Sequence, residues 1–290
     1  MKKKLSNVSV VIRSSEEQTV AYLKKQVLKE VVDDNVFVIN EVPFSKAVKK
    51  NFLIGIENKK KWTLALDGDL ILGPQSISLM INRAEEFDNS LYVYQGFILD
   101  KFRCSLRQGG PHLYLTSNLK KALKKLETTN KEKRPESKLY GEMIELGYTV
   151  HIEKKIIALH DFFQNQEDIY RKGYFHGIKH KGWKKLIPEW LEKSNIDDDY
   201  KLVVAGFIDG YLENPDEYPN VISLKERSKK IIENVIQNLK ENENLNDNSF
   251  EQILYKFNVL YNDNLDILTS KKPFKVKARN KLIQLLNKIN

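Results

Sequence analysis

Two carboxylates flank a single glycine at Asp67-Gly68-Asp69. At the end of a strand, both acids can face one hard cation, while the glycine lets the backbone turn and a phosphate approach closely. A divalent ion held there would bridge the two phosphates of a nucleotide diphosphate and offset the charge of a departing diphosphate. The same residues, lying between apolar runs at 62–66 and 70–72, also read as the turn of a β-hairpin. Spacing alone leaves both readings open. Position favours the first, because the turn closes the third strand of an alternating pattern.

That pattern occupies the first hundred residues. A β-branched run at 8–12 is followed by a helix capped by Ser14 or Ser15, with Glu16 and Glu17 expected in its first turn. Val20, Leu23, Val27 and Val31 recur at helical spacing. A second strand at 35–39, a helix over 45–59 and a third strand at 62–66 follow. Short connections between such elements imply right-handed crossovers and a mainly parallel sheet, with ligands outside the carboxyl ends of the strands. Arg13, Asn40, Glu41, Asp67 and Asp69 all fall at those ends.

Further along, the spacing predicts a helix over 75–87, a strand over 91–99, a loop over 107–112 and a helix opened by Thr116 or Ser117. A charged stretch at 128–134, a helix over 136–146 stopped by Gly147, and strands at 148–152 and 156–159 complete this part. Tyr170, Arg171, Lys172, Tyr174, His176, Lys179, His180 and Lys181 then crowd together among Gly173, Gly177 and Gly182. A basic, glycine-rich loop of this kind would fold over a bound diphosphate and exclude water; a solvated charged helix or loop is the plainer reading. Beyond residue 182 the pattern turns helical, at 183–193, 197–212, 223–241 and 250–261, with a polar linker at 241–248. The expected division is therefore a domain at 1–182 and a helical region at 183–290.

The chain has 290 residues, 41% hydrophobic and 30% charged, enough for a sizeable core under an ordinary charged surface. Its single cysteine, Cys104, excludes an internal disulfide and a cysteine-based zinc site, and is expected to be a partly buried strand residue. The 48 basic and 39 acidic residues leave a net charge of +9, which favours anionic partners without choosing among them. No apolar run approaches the roughly 18 residues of a membrane span, and the basic start reads as the lead into the first strand and not as a signal peptide. A cytoplasmic protein is the expectation. The basic amphipathic segment at 275–289 either docks on the protein or touches an anionic membrane face.

The stretch Trp62-Thr63-Leu64-Ala65-Leu66-Asp67-Gly68-Asp69-Leu70-Ile71-Leu72 resembles the DxD region of GT-A glycosyltransferases of the family 2-like group, and Val10-Val11-Ile12-Arg13-Ser14 resembles their first nucleotide-binding unit. The resemblance covers about 6–182 and rests on the order and spacing of short motifs. It implies a GT-A fold and metal-dependent transfer of a sugar, with inversion, from a nucleotide-diphosphate sugar to a glycan or lipid-linked acceptor. It further implies Mn2+ or Mg2+ held by Asp67, Asp69 and His160, the histidine that follows the last core strand. Asp161 would orient that imidazole, or be a loop acid only. Glu136 stands where the family carries its general base, although Arg134-Pro135-Glu136-Ser137 lacks the usual acidic pair; Glu142 is the reserve. Arg13, Asn40 and Glu41 would contact the base and ribose, Arg171 and Lys172 the diphosphate, and Gly109-Gly110-Pro111-His112 the acceptor side.

Two other functions fit parts of this sequence. A nucleotidyltransferase would carry a glycine-rich phosphate loop where Arg13-Ser14-Ser15-Glu16-Glu17 stands. A nucleic-acid-binding module would interleave aromatic and basic residues over more than 170–183, so no nucleic-acid partner is expected. A sugar-nucleotide binder without transfer activity stays open.

Overall fold

The structure, a computed structural model, describes residues 3–126, 135–213, 221–235, 245–259 and 265–267. The segments at 128–134 and 275–289 lie outside the described residues. The chain is α/β, with one seven-stranded sheet in the order β2-β1-β3-β6-β5-β7-β4. These strands are β1 (Val8–Arg13), β2 (Val36–Ile39), β3 (Trp62–Asp67), β4 (Leu70–Leu72), β5 (Leu91–Asp100), β6 (Ser105–Leu115) and β7 (Thr149–His160). The helices are α1 (Val20–Glu30), α2 (Phe44–Asn58), α3 (Ser76–Ala84), α4 (Leu119–Leu126), α5 (Pro135–Glu145), α6 (Gln166–Lys179), α7 (Ile187–Lys193), α8 (Asp199–Glu213), α9 (Val221–Val235) and α10 (Ser249–Lys256).

Strand alternation divides the core. Val8, Val10, Ile12, Trp62, Leu64 and Leu66 face one side with Leu23 and Val27 of α1 and Met80 and Ile81 of α3. Ala65, Val93 and Tyr114 face the other, with Val48 and Phe52 of α2, Leu119 of α4 and Leu139 and Met143 of α5. Period two in the strands and 3.6 in the helices thus give two apolar layers around one sheet.

The expected mainly parallel sheet is corrected to a mixed one. β1 runs parallel to β2 and β3, and β5 to β7, but β6 is antiparallel to both β3 and β5, and β4 to β7. The segment expected as a loop at 107–112 lies inside β6. Pro111 falls where the β5–β6 register shifts and just before β6 begins to pair with β3, so the ladder does not need the N–H that proline lacks. The first helix also starts later than expected. Glu16 adopts φ 68 and α1 opens only at Val20, leaving Glu17 in the turn ahead of it.

Helices α6 to α9 pack as a group beside the end of β5, whereas α10 packs on β4 and β7. Phe102 and Trp190, Tyr200, Val203 and Phe207 form the apolar centre of the group. Trp190 Nε1 donates to the Phe102 carbonyl at 2.6 Å, and Lys101 Nζ reaches Asp197 at 2.8 Å and also pairs with Asp199. Cys104 lies in the turn joining β5 to β6, at φ 54, and not in a strand. Burial pushes its thiol up to about 12. Iodoacetamide at pH 8 is therefore expected to label the folded protein far more slowly than the urea-unfolded chain; equal rates would show an accessible, ordinary thiol. Among the described residues, no helix is long and apolar enough to cross a membrane.

Candidate functional site

The Asp67-Gly68-Asp69 turn is not a hairpin. β4, which follows it immediately, pairs with β7 at the far edge of the sheet and not with β3. Only three peptide steps separate Asp67 from Leu70, about 10 Å at full extension, so the sheet must curl until its edge meets the carboxyl end of β3. That curl carries the end of β7, with His160 and Asp161, up to Asp69. The Asp161 N–H donates to the Asp69 carbonyl at 3.2 Å and fixes the junction. At Gly68 a Cβ would lie 2.6 Å from a Glu17 carboxylate oxygen and 3.2 Å from the Arg13 carbonyl, so a side chain there would displace the Glu17 carboxylate and crowd the backbone.

Asp67 and Asp69 serve two adjoining networks. On one side Arg13, buried at the end of β1, lies beside β3 in register with Asp67. Its guanidinium contacts Asp67 Oδ1 at 2.8 Å and donates to Glu136 Oε1 at 2.7 Å. Tyr114 donates to the same Glu136 oxygen at 2.9 Å, while Glu136 Oε2 faces His112 Nε2 at 3.9 Å. Tyr140 and His112 Nδ1 share a hydrogen bond of 2.7 Å. Burial would raise the Glu136 carboxyl, but Arg13 and His112 outweigh it and hold the group below its usual range. Burial lowers His112, favouring a neutral ring.

On the other side, Asp69, His160 and Asp161 each offer one ligand atom, all within 4.8 Å of one another. His160 Nε2 faces Asp69 Oδ2 at 3.5 Å, and its Nδ1 lies 2.9 Å from Asp161 and 3.3 Å from Asp100. Lys172 of α6 pairs with both Asp69 Oδ2 and Asp161 Oδ1. Arg107 donates to Asp100 at 2.6 Å. Burial opposes the charge on His160, but Asp161 and Asp69 prevail and raise it to about 10. In turn, His160 and Lys172 hold Asp69 below the usual carboxylate range against the effect of burial.

This donor set fits a hard or borderline divalent cation. Asp69 Oδ1 is buried without a hydrogen-bond partner among the described residues. The His160 Nε2–Asp69 Oδ2 separation is that of two ligands on one ion, and the carboxylates on Nδ1 are the usual orienting partners of a metal-bound imidazole. Asp67 does not belong to that group; Arg13 holds it on the other side of the turn.

The remaining expected residues are placed as follows. Asn40 and Glu41 lie exposed beyond the end of β2. Phe44, at the start of α2, puts its ring 4.9 Å from the Arg13 guanidinium. Arg171 pairs with Asp168 of its own helix at 2.7 Å, whereas Lys172 reaches the acid cluster. The basic stretch expected as a glycine-rich loop is the helix α6, capped by Asn165, whose side chain accepts from the Asp168 N–H. Its glycines serve packing: a Cβ on Gly173 would lie 2.5 Å from the Val203 carbonyl of α8. Glu142 stands six residues after Glu136 on α5, about 240° round the helix, and so does not share its face.

Five contributors were not singled out in the sequence: Glu17, Asp100, Arg107, Tyr114 and Tyr140. Asp100 and Arg107 flank the β5–β6 turn, and Tyr114 lies inside β6, where no spacing rule marks a site. Glu17, expected in the first turn of a helix, lies in the turn before α1; its carboxyl is raised by burial and by Asp69, and it accepts from the Ser15 N–H at 2.6 Å. In comparison with known proteins, neither a protein-family model nor a curated protein matches this chain.

Proposed function

We propose that the protein is a GT-A-type glycosyltransferase that passes a sugar from a nucleotide-diphosphate sugar to an acceptor hydroxyl. The observation that carries this reading is the turn after β3. It is not a hairpin, it lies at the carboxyl ends of the parallel strands β1, β2 and β3, and it gathers Asp69 with His160. A ligand entering an open α/β sheet binds at such a place. The resemblance of the DxD segment supplies the substrate class, with a glycan or lipid-linked acceptor at the cytoplasmic face of a membrane.

In this reading Asp69 and His160 hold Mn2+ or Mg2+, oriented by Asp161 and Asp100. The ion would stabilise charge on the departing nucleoside diphosphate. Arg13 fixes Asp67 and Glu136 beside one another. Glu136 takes the acceptor proton through Oε2, the oxygen that neither Arg13 nor Tyr114 uses.

The test is thermal unfolding with UDP, GDP or CDP, with and without Mn2+, beside an Asp67→Asn/Asp69→Asn variant. A rise that needs both the metal and one nucleotide, and disappears in the variant, is expected. No rise with any nucleotide would remove the reading's support. Arg13's grip on Glu136 favours a second reading, a sugar-nucleotide binder that does not transfer, because an ion-paired carboxylate is a weak base. Glu136→Gln keeps the hydrogen bonds to Arg13 and Tyr114. It is expected to lower turnover by about 10²–10⁴-fold while leaving the nucleotide-dependent rise intact. Unchanged turnover would move the base elsewhere, with His112 the nearest neutral acceptor of a proton.

A further inference from the structure

Lys172 and a cation would claim the same oxygen. Lys172 Nζ pairs with Asp69 Oδ2, the atom that faces His160 Nε2 at 3.5 Å, and also with Asp161 Oδ1. Its side chain is only 15% exposed, so the ammonium sits within the cluster and not at its rim. Two cations at contact distance from one carboxylate oxygen repel strongly in such a buried place. The helix that carries Lys172 cannot simply withdraw. Gly173 and Gly177 lie against the backbone of α8 at Val203 and Phe207, and Gly206 and Gly210 of α8 lie against Tyr170 and Tyr174 of α6. Relief must come from the side chain, whose four-carbon stem is flexible enough to re-aim a point charge.

We propose that Lys172 is a latch on the cation site. Without a donor it fills the place between Asp69 and Asp161. When a diphosphate arrives, the ammonium turns to the phosphate oxygens, the two carboxylates are freed, and the cation enters. Metal and nucleotide diphosphate therefore bind together, each raising the affinity of the other by the same factor. The proposal rests on the reading of Asp69 and His160 as cation ligands, and goes beyond it by giving the order of binding and the residue that sets it.

The experiment is equilibrium binding of Mn2+, followed by the electron paramagnetic resonance signal of the free ion, in wild type, Lys172→Met and Lys172→Arg. With Mn2+ alone, Lys172→Met is expected to bind at least about tenfold tighter than wild type, and Lys172→Arg as weakly as wild type, because it keeps the charge. Circular dichroism melts establish that each variant is folded. Should Lys172→Met fail to fold, Lys172→Gln, of similar reach and no charge, takes its place with the same expectation. Equal affinities in wild type and the uncharged variant, or no Mn2+ binding by either, overturn the latch. Adding the nucleoside diphosphate that stabilises the wild type is expected to raise wild-type Mn2+ affinity by about tenfold or more, and the uncharged variant's by clearly less. Equal gains also overturn it. If no nucleotide acts on any of the proteins, the glycosyltransferase reading falls, while the metal-only comparison still decides the latch.

Discussion

Arg13→Met is expected to lose about 3–5 kcal/mol of folding stability at pH 7, because it removes the cation shared by two carboxylates and leaves a buried one uncompensated. Arg13 and Glu136 side chains are 3% and 12% exposed, so water cannot replace the lost guanidinium. The dependence on pH has a definite sign. In the wild type the Glu136 carboxyl is held below its ordinary value, so its contribution is present above the unfolded pKa, about 4.3, and is lost as pH falls through the folded value. In the variant that contribution is absent at every pH, and burial makes Glu136 easier to protonate. The gap between the two proteins should therefore be widest near neutrality and should narrow below about pH 4. Urea midpoints for both proteins at pH 7 and pH 3.5 measure it. A gap that stayed constant would mean that the loss comes from the packing of the Arg13 stem, for instance on Phe44, and not from its charge.

The second large effect is expected where α6 crosses α8. Cβ atoms added at Gly206 and Gly210 would strike the carbonyl oxygens of Tyr170 and Tyr174, which are backbone atoms with no flexible end to move aside. Overpacking typically costs 1–3 kcal/mol, and Gly206→Ala/Gly210→Ala should reach or exceed the upper part of that range, about 3 kcal/mol, since both helices must separate. The functional consequence follows from what α6 carries. Lys172 lies on the side of α6 roughly opposite the face formed by Tyr170, Gly173, Tyr174 and Gly177, so a helix pushed off α8 does not draw its ammonium away from Asp69 and Asp161. The double variant should thus melt lower and bind Mn2+ no more tightly than wild type. Gly182→Ala, at a position with open space around the added carbon, is the control and should melt like the wild type. A double variant that melts normally would show that the two helices are less tightly apposed than their backbones indicate.

Much of this protein is written in local pattern. The apolar runs at 8–12 and 62–66, the helical spacing of α1 and α2, and the stop at Gly147, which adopts φ 86, are properties of short segments. Period, turn chemistry and glycine conformation act within a few residues, so a single chain reveals them. Arg13, Asp67 and Asp69 could be singled out for the same reason, whereas Glu136 and His160 come from the resemblance to glycosyltransferases and Lys172 from a crowded basic stretch. The types of the first three residues and their places at strand ends are visible without any contact.

What the sequence left undecided depended on partners distant along the chain. Whether Asp67-Gly68-Asp69 was a hairpin turn rested on which strand β4 would join, and its partner β7 begins almost eighty residues later. The glycine and proline signals at 109–111 were outweighed by pairing with β5. The glycines at 173 and 177 looked like a flexible loop until α8 packed its backbone against them. The split of the two aspartates, one to Arg13 and one to Lys172, arises because curling of the sheet brings β7 beside the end of β3. Sequence determined which groups were available for chemistry and roughly where the strands end. Tertiary structure decided which groups meet, because register, curl and helix crossing are set by long-range burial that no local spacing encodes.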